Sequence, residues 1–482
     1  MNETFTAINQ FLETILFFDV LFGKVEGSTI PFLVAWLIVG GVYLTFKMGF
    51  INLKMFKHSF LIIRGQYKTK EDQGEIEPYK SLTTALSATV GLGNIAGVAI
   101  AIAIGGPGAT FWMIVAGFLG MTLKFTEVTL SLQYREFLPD GTIMGGGMEY
   151  LSRGLAKKGM AAFGKVLAII FALFMIGAAI GGGNTFQVSQ AVGAIGNEID
   201  FVKAYPWVFG VVLAVLTGAV ILGGITRIAD TTSRIVPLMV TIYIAASLWI
   251  LIVHADKIPN AFALIFTEAF APTAVAGGMI GVIVQGFQRA VFSSEAGLGS
   301  APIAHAPARV KYPVRQGIVA LYEPFIDTII VCTMTALVIV ITGVWDPANG
   351  YGDLIAAKEG ASLTSAAYGT VISWFPSVLS LSIFLFAFST MISWSYYGER
   401  AWVYLFGTKS SVIYKLVFLS FIVMASVVDT GIMVDFSFML MLAMALPNIL
   451  GLYILSGDVK EELQVYLRKL KAGKLDKEAI RD

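Results

Sequence analysis

Apolar segments of about 20 residues recur along almost the whole chain, and this feature limits the possible folds more than any other. A helix needs about 20 residues to cross the ~30 Å hydrocarbon core of a bilayer. Strands of an outer-membrane barrel would alternate polar and apolar residues, and these segments do not alternate. Since 56% of the residues are hydrophobic and only 13% are charged, the sequence predicts an all-α polytopic membrane protein. Hydropathy indicates about eleven transmembrane helices.

The positions of lysine and arginine predict how the chain is oriented. Basic residues fill the Lys47–Lys80 connection, alternate connections after it and the tail Lys460–Arg481. By the positive-inside rule, the N-terminus is predicted to lie outside and the C-terminus in the cytoplasm. The predicted location is the cell membrane, where the multi-pass protein is in contact with lipid. The net charge of +1 gives no reason to expect a nucleic-acid partner, and a single cysteine, Cys332, excludes an internal disulfide.

One apolar segment, Leu82–Ile104, is interrupted at its centre by Gly91, Gly93 and small polar neighbours. Each glycine costs a helix about 1 kcal/mol relative to alanine. Backbone groups freed in hydrocarbon must also find partners. The pattern is typical of a broken membrane helix whose exposed backbone binds a ligand and an ion. The alternative is that these glycines, with Gly97, only allow helices to pack closely.

A similar glycine-rich segment, Gly297–Pro302, follows five predicted spans later, so the two segments have opposite topology. This spacing predicts a 5+5 inverted repeat with an interrupted first helix in each repeat and one extra N-terminal helix. The break in the second repeat lies either at Gly297 or at Gln285-Gly286. The predicted regions are an interfacial helix (Phe5–Phe22), an extra transmembrane helix and a cytoplasmic loop in 1–77, a first repeat in 78–254, an external linker in 255–271, an inverted repeat in 272–456 and a basic cytoplasmic tail in 457–482.

Two longer motifs resemble those of the alanine or glycine:cation symporter family, the sodium:alanine symporters. The first is Gly105–Met113 with Gly120, Met121 and Glu127, and the second is Phe292–Pro302. The first motif departs from the family pattern at Thr110, Ile114 and Thr126. The family is similar to sodium-coupled amino-acid transporters of the leucine-transporter fold, which also carry a break like Val90–Asn94. The resemblance implies that fold and a symport function.

The substrate site is predicted around the first break. An amino-acid carboxylate suits the N-terminus of the half-helix that begins near Asn94, and Gly91 and Gly93 allow its backbone to approach closely. The complete set of predicted substrate-binding residues is Thr89, Gly91, Gly93, Asn94, Phe186, Gln187, Gln285 and Trp394. The alternative to substrate binding is, for Gln187, a position in an outer loop and, for Trp394, a role in helix packing only.

A sodium ion is the predicted coupling ion, with H⁺ as the alternative. Carbonyl groups that end the first half-helix, from Ser87 to Val90, suit a cation that prefers oxygen ligands. The adjacent hydroxyls of Ser389 and Thr390 offer two more oxygens, and the resemblance favours sodium there. The alternative is that both hydroxyls bond carbonyls one turn back in their own helix.

Several ionisable residues fall at membrane depth, where such residues are functional candidates. Lys124 and Glu127 are predicted to pair with each other. Glu323 and Asp327 either bind a cation or a proton, or pair with a distant residue such as Arg289. We find no zinc-ligand spacing, phosphate loop or nucleophile motif, so an enzyme is not predicted.

These observations predict a secondary active transporter that imports a small neutral amino acid, alanine or glycine, with sodium by alternating access. No obligate protein partner is evident. The alternatives are a carrier of glutamine or another neutral amino acid, and coupling to protons. A channel or a polytopic membrane enzyme is a remote alternative.

Overall fold

The computed structural model describes residues 14, 16–23, 29–270, 278–356, 358–372, 374–428 and 438–475, and this part of the chain is almost entirely helical. Within it, seven helices are long and apolar enough to cross a bilayer, or eight with a bent pair counted as one span. The only named strands there are Glu136–Phe137 and Ile143–Met144, which form one antiparallel pair. The prediction of an all-α polytopic membrane protein is confirmed. The count of eleven spans and the inverted repeat stay predictions.

The helices of the first part of the chain include both halves of the predicted interrupted segment Leu82–Ile104. In order they are Phe32–Lys47, Ile51–Lys54, Phe56–Ile63, Pro78–Thr89, Gly93–Gly97 (π), Val98–Gly105, Ala109–Gln133, Gly147–Glu149, Tyr150–Gly154 (π), Leu155–Lys157, Ala161–Ile180, Gly181–Thr185 (π), Phe186–Glu198, Asp200–Ala204, Pro206–Ile221 and Gly224–Val253. Most of the predicted interfacial helix Phe5–Phe22 lies outside the described residues.

The helices of the second part are interrupted in the same way. In order they are Ala255–Lys257 (3₁₀), Ile258–Phe270, Gly278–Ser294, Pro302–His305, Pro313–Ala320, Tyr322–Pro324, Phe325–Cys332 (π), Thr333–Thr342, Pro347–Asn349 (3₁₀), Gly352–Ala356, Gly360–Gly369, Phe375–Phe406, Thr408–Ser410 (3₁₀), Ser411–Ala425 and Ala445–Lys471. The predicted linker 255–271 therefore contains a helix, and the predicted tail boundary at 457 falls inside Ala445–Lys471.

Two helices in the described part of the chain are broken at glycine-containing segments. The first broken helix consists of Pro78–Thr89 and Gly93–Gly105, whose axes are bent by 50°. Its helical geometry ends at Val90, which has an extended ψ of 90°. The bend thus coincides with the glycines that predicted it.

The second broken helix consists of Gly278–Ser294 and the short helix Pro302–His305. Between them, Glu295, Gly297 and Gly299 have positive φ values of 55°, 89° and 79°. Glycine adopts such angles without strain, which explains the two glycines at this position. The helix is continuous through Gln285-Gly286, so of the two positions considered for this break, the structure has the one at Gly297.

Both broken helices are packed between two long helices, Ala109–Gln133 and Phe375–Phe406. Small residues permit this close packing, as expected in a membrane, where tight van der Waals contact replaces hydrophobic burial. A Cβ atom on Gly286, for example, would lie 2.7 Å from the carbonyl oxygen of Ala109. The two breaks are thereby held next to each other.

Candidate functional site

A small cavity lies between the two breaks. Its lining residues are Ala88, Thr89, Gly91, Gly93, Gly182, Gln187, Phe292, Glu295, Trp394 and Met441. Five of the predicted substrate-binding residues, from three separate helices, therefore meet there. The cavity measures about 10 Å³, close to the least space that holds one water molecule. An amino acid can enter only when the surrounding helices separate.

Gln187 presents an unused hydrogen-bond acceptor to this cavity. Its Nε2 donates to the Gly182 carbonyl over 3.1 Å. Its Oε1 is buried and has no hydrogen-bond partner among the described residues. Leaving a buried acceptor unpaired costs about 1–3 kcal/mol, so a donor brought by a ligand would be stabilised there.

The glycines of the first break let neighbouring side chains approach the backbone. A Cβ atom on Gly91 would lie 2.6 Å from Thr390 Oγ1, and one on Gly93 would lie 3.3 Å from Phe292 Cε1. Trp394 packs in the same way on Gly183, next to the segment that carries Gln187. Each of these side chains therefore depends on the absence of a Cβ atom opposite it.

Asn94 does not line the cavity. Its Oδ1 accepts a hydrogen bond from the Gly91 N–H over 2.8 Å, and its Nδ2 donates to Ser293 Oγ over 2.9 Å and to Asp327 Oδ1 over 2.5 Å. Asp327 Oδ2 also accepts from Thr328. Asn94 thus fixes the shape of the first break and ties it to the second broken helix.

The predicted sodium residues lie together between Pro78–Thr89 and Phe375–Phe406. Ser87 Oγ donates to the Ser389 carbonyl over 2.6 Å, and Thr390 Oγ1 donates to the Ser87 carbonyl over 3.1 Å. Ser389 Oγ bonds the Phe386 carbonyl of its own helix over 3.1 Å. Val90 ends the helix beside them. The Ser389 hydroxyl therefore bonds a carbonyl of its own helix, as the alternative proposed. The Thr390 hydroxyl instead bonds a carbonyl of the first broken helix.

Two further predicted residues lie away from the cavity lining. The Phe186 ring packs with the rings of Phe292 and Phe438, at centroid distances of 5.8 and 5.5 Å, and the latter two rings lie 4.1 Å apart. We call these three rings the ring cluster. Gln285 packs against Gly105 instead, at the far end of the first broken helix. The segment that breaks this helix begins at Glu295. Because a helix rises 1.5 Å per residue, Gln285 lies about 15 Å along the helix from that residue.

Glu295 is a cavity residue that the sequence did not predict. It is only 1% exposed, lines the cavity and accepts a short hydrogen bond from Ser300 Oγ. Its carboxyl group is thus a second polar group in the cavity that Gln187 also lines. The one signal in the sequence was its place two residues before Gly297 in the second motif.

Buried charges support the second break. Lys124 forms its ion pair with Glu323, over 3.2 Å, and not with Glu127 as predicted. Glu127 instead accepts hydrogen bonds from Asn448 Nδ2 over 2.5 Å and from the Gly299 N–H over 3.1 Å. The reason is that the second break brings unpaired backbone groups to Glu127. Among the described residues, neither Glu323 nor Asp327 pairs with Arg289.

Comparisons with known proteins point to one family. Residues 16–480 match the model of the sodium:alanine symporter family. The chain is 39% identical to the sodium/alanine symporter AgcS of Methanococcus maripaludis, over 90% of this chain and 94% of that protein. It is 31% identical to the probable sodium/glutamine symporter GlnT of Bacillus subtilis, over 92% and 89% of the two chains. The crystal structure of MhsT in complex with L-phenylalanine has a TM-score of 0.52 at 14% identity, and the match covers 82% of this chain and 99% of that one.

Proposed function

We propose, since the chain belongs to the sodium:alanine symporter family, that this membrane transporter carries a small neutral amino acid, alanine or glycine, together with Na⁺. Transport proceeds by alternating access, with the two broken helices forming one site for both solutes. Family members are transporters and not enzymes. The structural match to MhsT supports the leucine-transporter fold for this chain.

The observation that carries this proposal is that the unpaired Gln187 Oε1 and the Glu295 carboxyl group line one cavity between the two breaks. Both are acceptors for the ammonium group of an amino acid. The half-helix that begins at Gly93 offers the positive end of its dipole to the carboxylate. One cavity thus carries complementary groups for both ends of a zwitterion.

The size of the cavity supports a small side chain. Its volume is about 10 Å³, and Trp394 and Met441 form part of its wall. Opening the site for alanine requires a modest separation of the helices, whereas a glutamine side chain requires these large residues to move as well. Alanine or glycine is therefore preferred to glutamine as the substrate.

The sodium position shares its helix with the substrate position. The Ser87 carbonyl and the Thr390 hydroxyl already lie 3.1 Å apart, and hard cations take oxygen ligands of this kind. Thr390 Oγ1 also lies against Gly91, which lines the cavity. An ion held by these oxygens fixes the first break, so sodium and substrate each stabilise the state that binds the other.

The direct test is uptake of radiolabelled alanine by the purified protein in proteoliposomes. An inward sodium gradient is expected to drive accumulation, and replacing sodium with potassium is expected to abolish it. Uptake driven by a proton gradient without sodium would contradict sodium coupling. Competition by a panel of unlabelled amino acids identifies the substrate, and stronger competition by glutamine than by alanine would contradict the proposed cargo.

A further inference from the structure

A second, larger cavity adjoins the ring cluster. It measures about 370 Å³ and is lined by all three rings, together with the polar side chains of Gln190, Gln288, Arg289 and Lys358. Phe292 lines both this cavity and the candidate substrate cavity. The ring cluster therefore lies where the two cavities meet. We call the larger one the basic cavity.

Arg289 gives the basic cavity its charge. The guanidinium lies on the apolar helix Gly278–Ser294, where ionisable residues are costly and usually functional. In the part of the chain that the structure describes, no carboxylate forms a salt bridge with it. Lys358 adds a second positive charge, and the lining residues that the structure describes include no aspartate or glutamate. The two positive charges of Arg289 and Lys358 therefore favour the binding of a negatively charged group in this cavity.

We propose that the basic cavity is an entry site that binds the carboxylate of the amino acid before it passes the ring cluster. This inference rests on the proposed function, because it assumes an amino-acid substrate. A guanidinium binds a carboxylate through two parallel hydrogen bonds. The volume of the cavity is within the range of small-molecule sites.

The proposed entry site lies next to the candidate substrate cavity. Arg289 and Phe292 are three residues apart on one helix, so they lie on neighbouring positions of the same face. Phe292 packs in turn against Gly93 of the first break. A carboxylate bound at Arg289 therefore lies one helical turn from Phe292, whose ring lines the candidate substrate cavity. The entry site thus selects solutes that have a free carboxylate before they reach the candidate substrate cavity.

The test is the kinetics of sodium-driven alanine uptake by the Arg289→Gln variant in proteoliposomes. Losing the charge is expected to raise KM about tenfold, in line with the effect of charged clefts on association rates, while kcat stays within about twofold because the inner site is intact. Arg289→Lys keeps the charge and is expected to recover most of the loss. Lys257→Gln, which removes an exposed lysine outside both cavities, is the matched control and is expected to behave as wild type.

A KM for Arg289→Gln within twofold of wild type would overturn the entry site. Should that variant not purify as a monodisperse protein, Gln288→Glu places a carboxylate beside Arg289 and must raise KM in the same way, and a wild-type KM there would overturn the site equally. Absence of sodium-dependent amino-acid uptake by the wild-type protein would instead refute the proposed function. Normal wild-type uptake with an unchanged Arg289→Gln variant refutes only the entry site.

Discussion

Replacing Gly91 with alanine tests how the first break joins the substrate and sodium positions. The new Cβ atom would lie 2.6 Å from Thr390 Oγ1, well inside contact distance, so the hydroxyl must move. That hydroxyl donates to the Ser87 carbonyl over 3.1 Å. Losing one such hydrogen bond costs about 0.5–1.5 kcal/mol. Since 1.4 kcal/mol corresponds to a factor of ten, the variant should need about two- to tenfold more sodium.

The assay is alanine uptake in proteoliposomes as a function of sodium concentration. Gly457→Ala is the matched control, because it lies in a helix outside both cavities and a Cβ there meets no atom within 4 Å. Thr390→Ala should raise the sodium requirement to a similar extent. The double variant of Gly91 and Thr390 should be no worse than Thr390→Ala alone, since both changes remove the same contact. Wild-type sodium dependence in Gly91→Ala, or an equal effect of Gly457→Ala, would refute this reasoning.

Two further predictions follow from single side chains. Gln187→Leu removes the unpaired buried acceptor, so it should abolish alanine binding as measured by calorimetry. It should also stabilise the ligand-free protein by about 1–2 kcal/mol in thermal unfolding, because the cost of the unpaired acceptor is removed. Retained alanine binding or a lower Tm would contradict the role of Gln187. Ser389→Ala should change the sodium requirement for uptake less than Thr390→Ala does, because the Ser389 hydroxyl bonds its own helix; the reverse order would assign the ion to Ser389.

The sequence was sufficient for features that depend on local chemistry. The apolar segments predicted an all-helical membrane protein, and Gly91 and Gly93 predicted the position of the first bend. Both follow from what a short stretch of chain can do in hydrocarbon. The predicted cluster of Thr89, Gln187 and Trp394 also lies around one cavity. This grouping depended on the family resemblance as well as on the residues.

Features that depend on distant contacts could not be predicted in this way. Asn94 turns away from the cavity because its partners, Ser293 and Asp327, come from helices 199 and 233 residues later. Glu295 faces the cavity because three positive φ values redirect the chain after Ser294. Gln285 was placed near the site only because the second break could have been at either of two positions. The sequence does not encode these orientations locally.

The central claim is that two broken helices form one site in which an ion and an amino acid stabilise each other. Isothermal titration calorimetry on the purified protein tests it most directly, by measuring the Kd of alanine with and without sodium and the Kd of sodium with and without alanine. Thermodynamic linkage requires both ratios to be equal, and we predict a tightening of at least about tenfold in each. An alanine Kd that does not change between sodium and potassium would contradict the account.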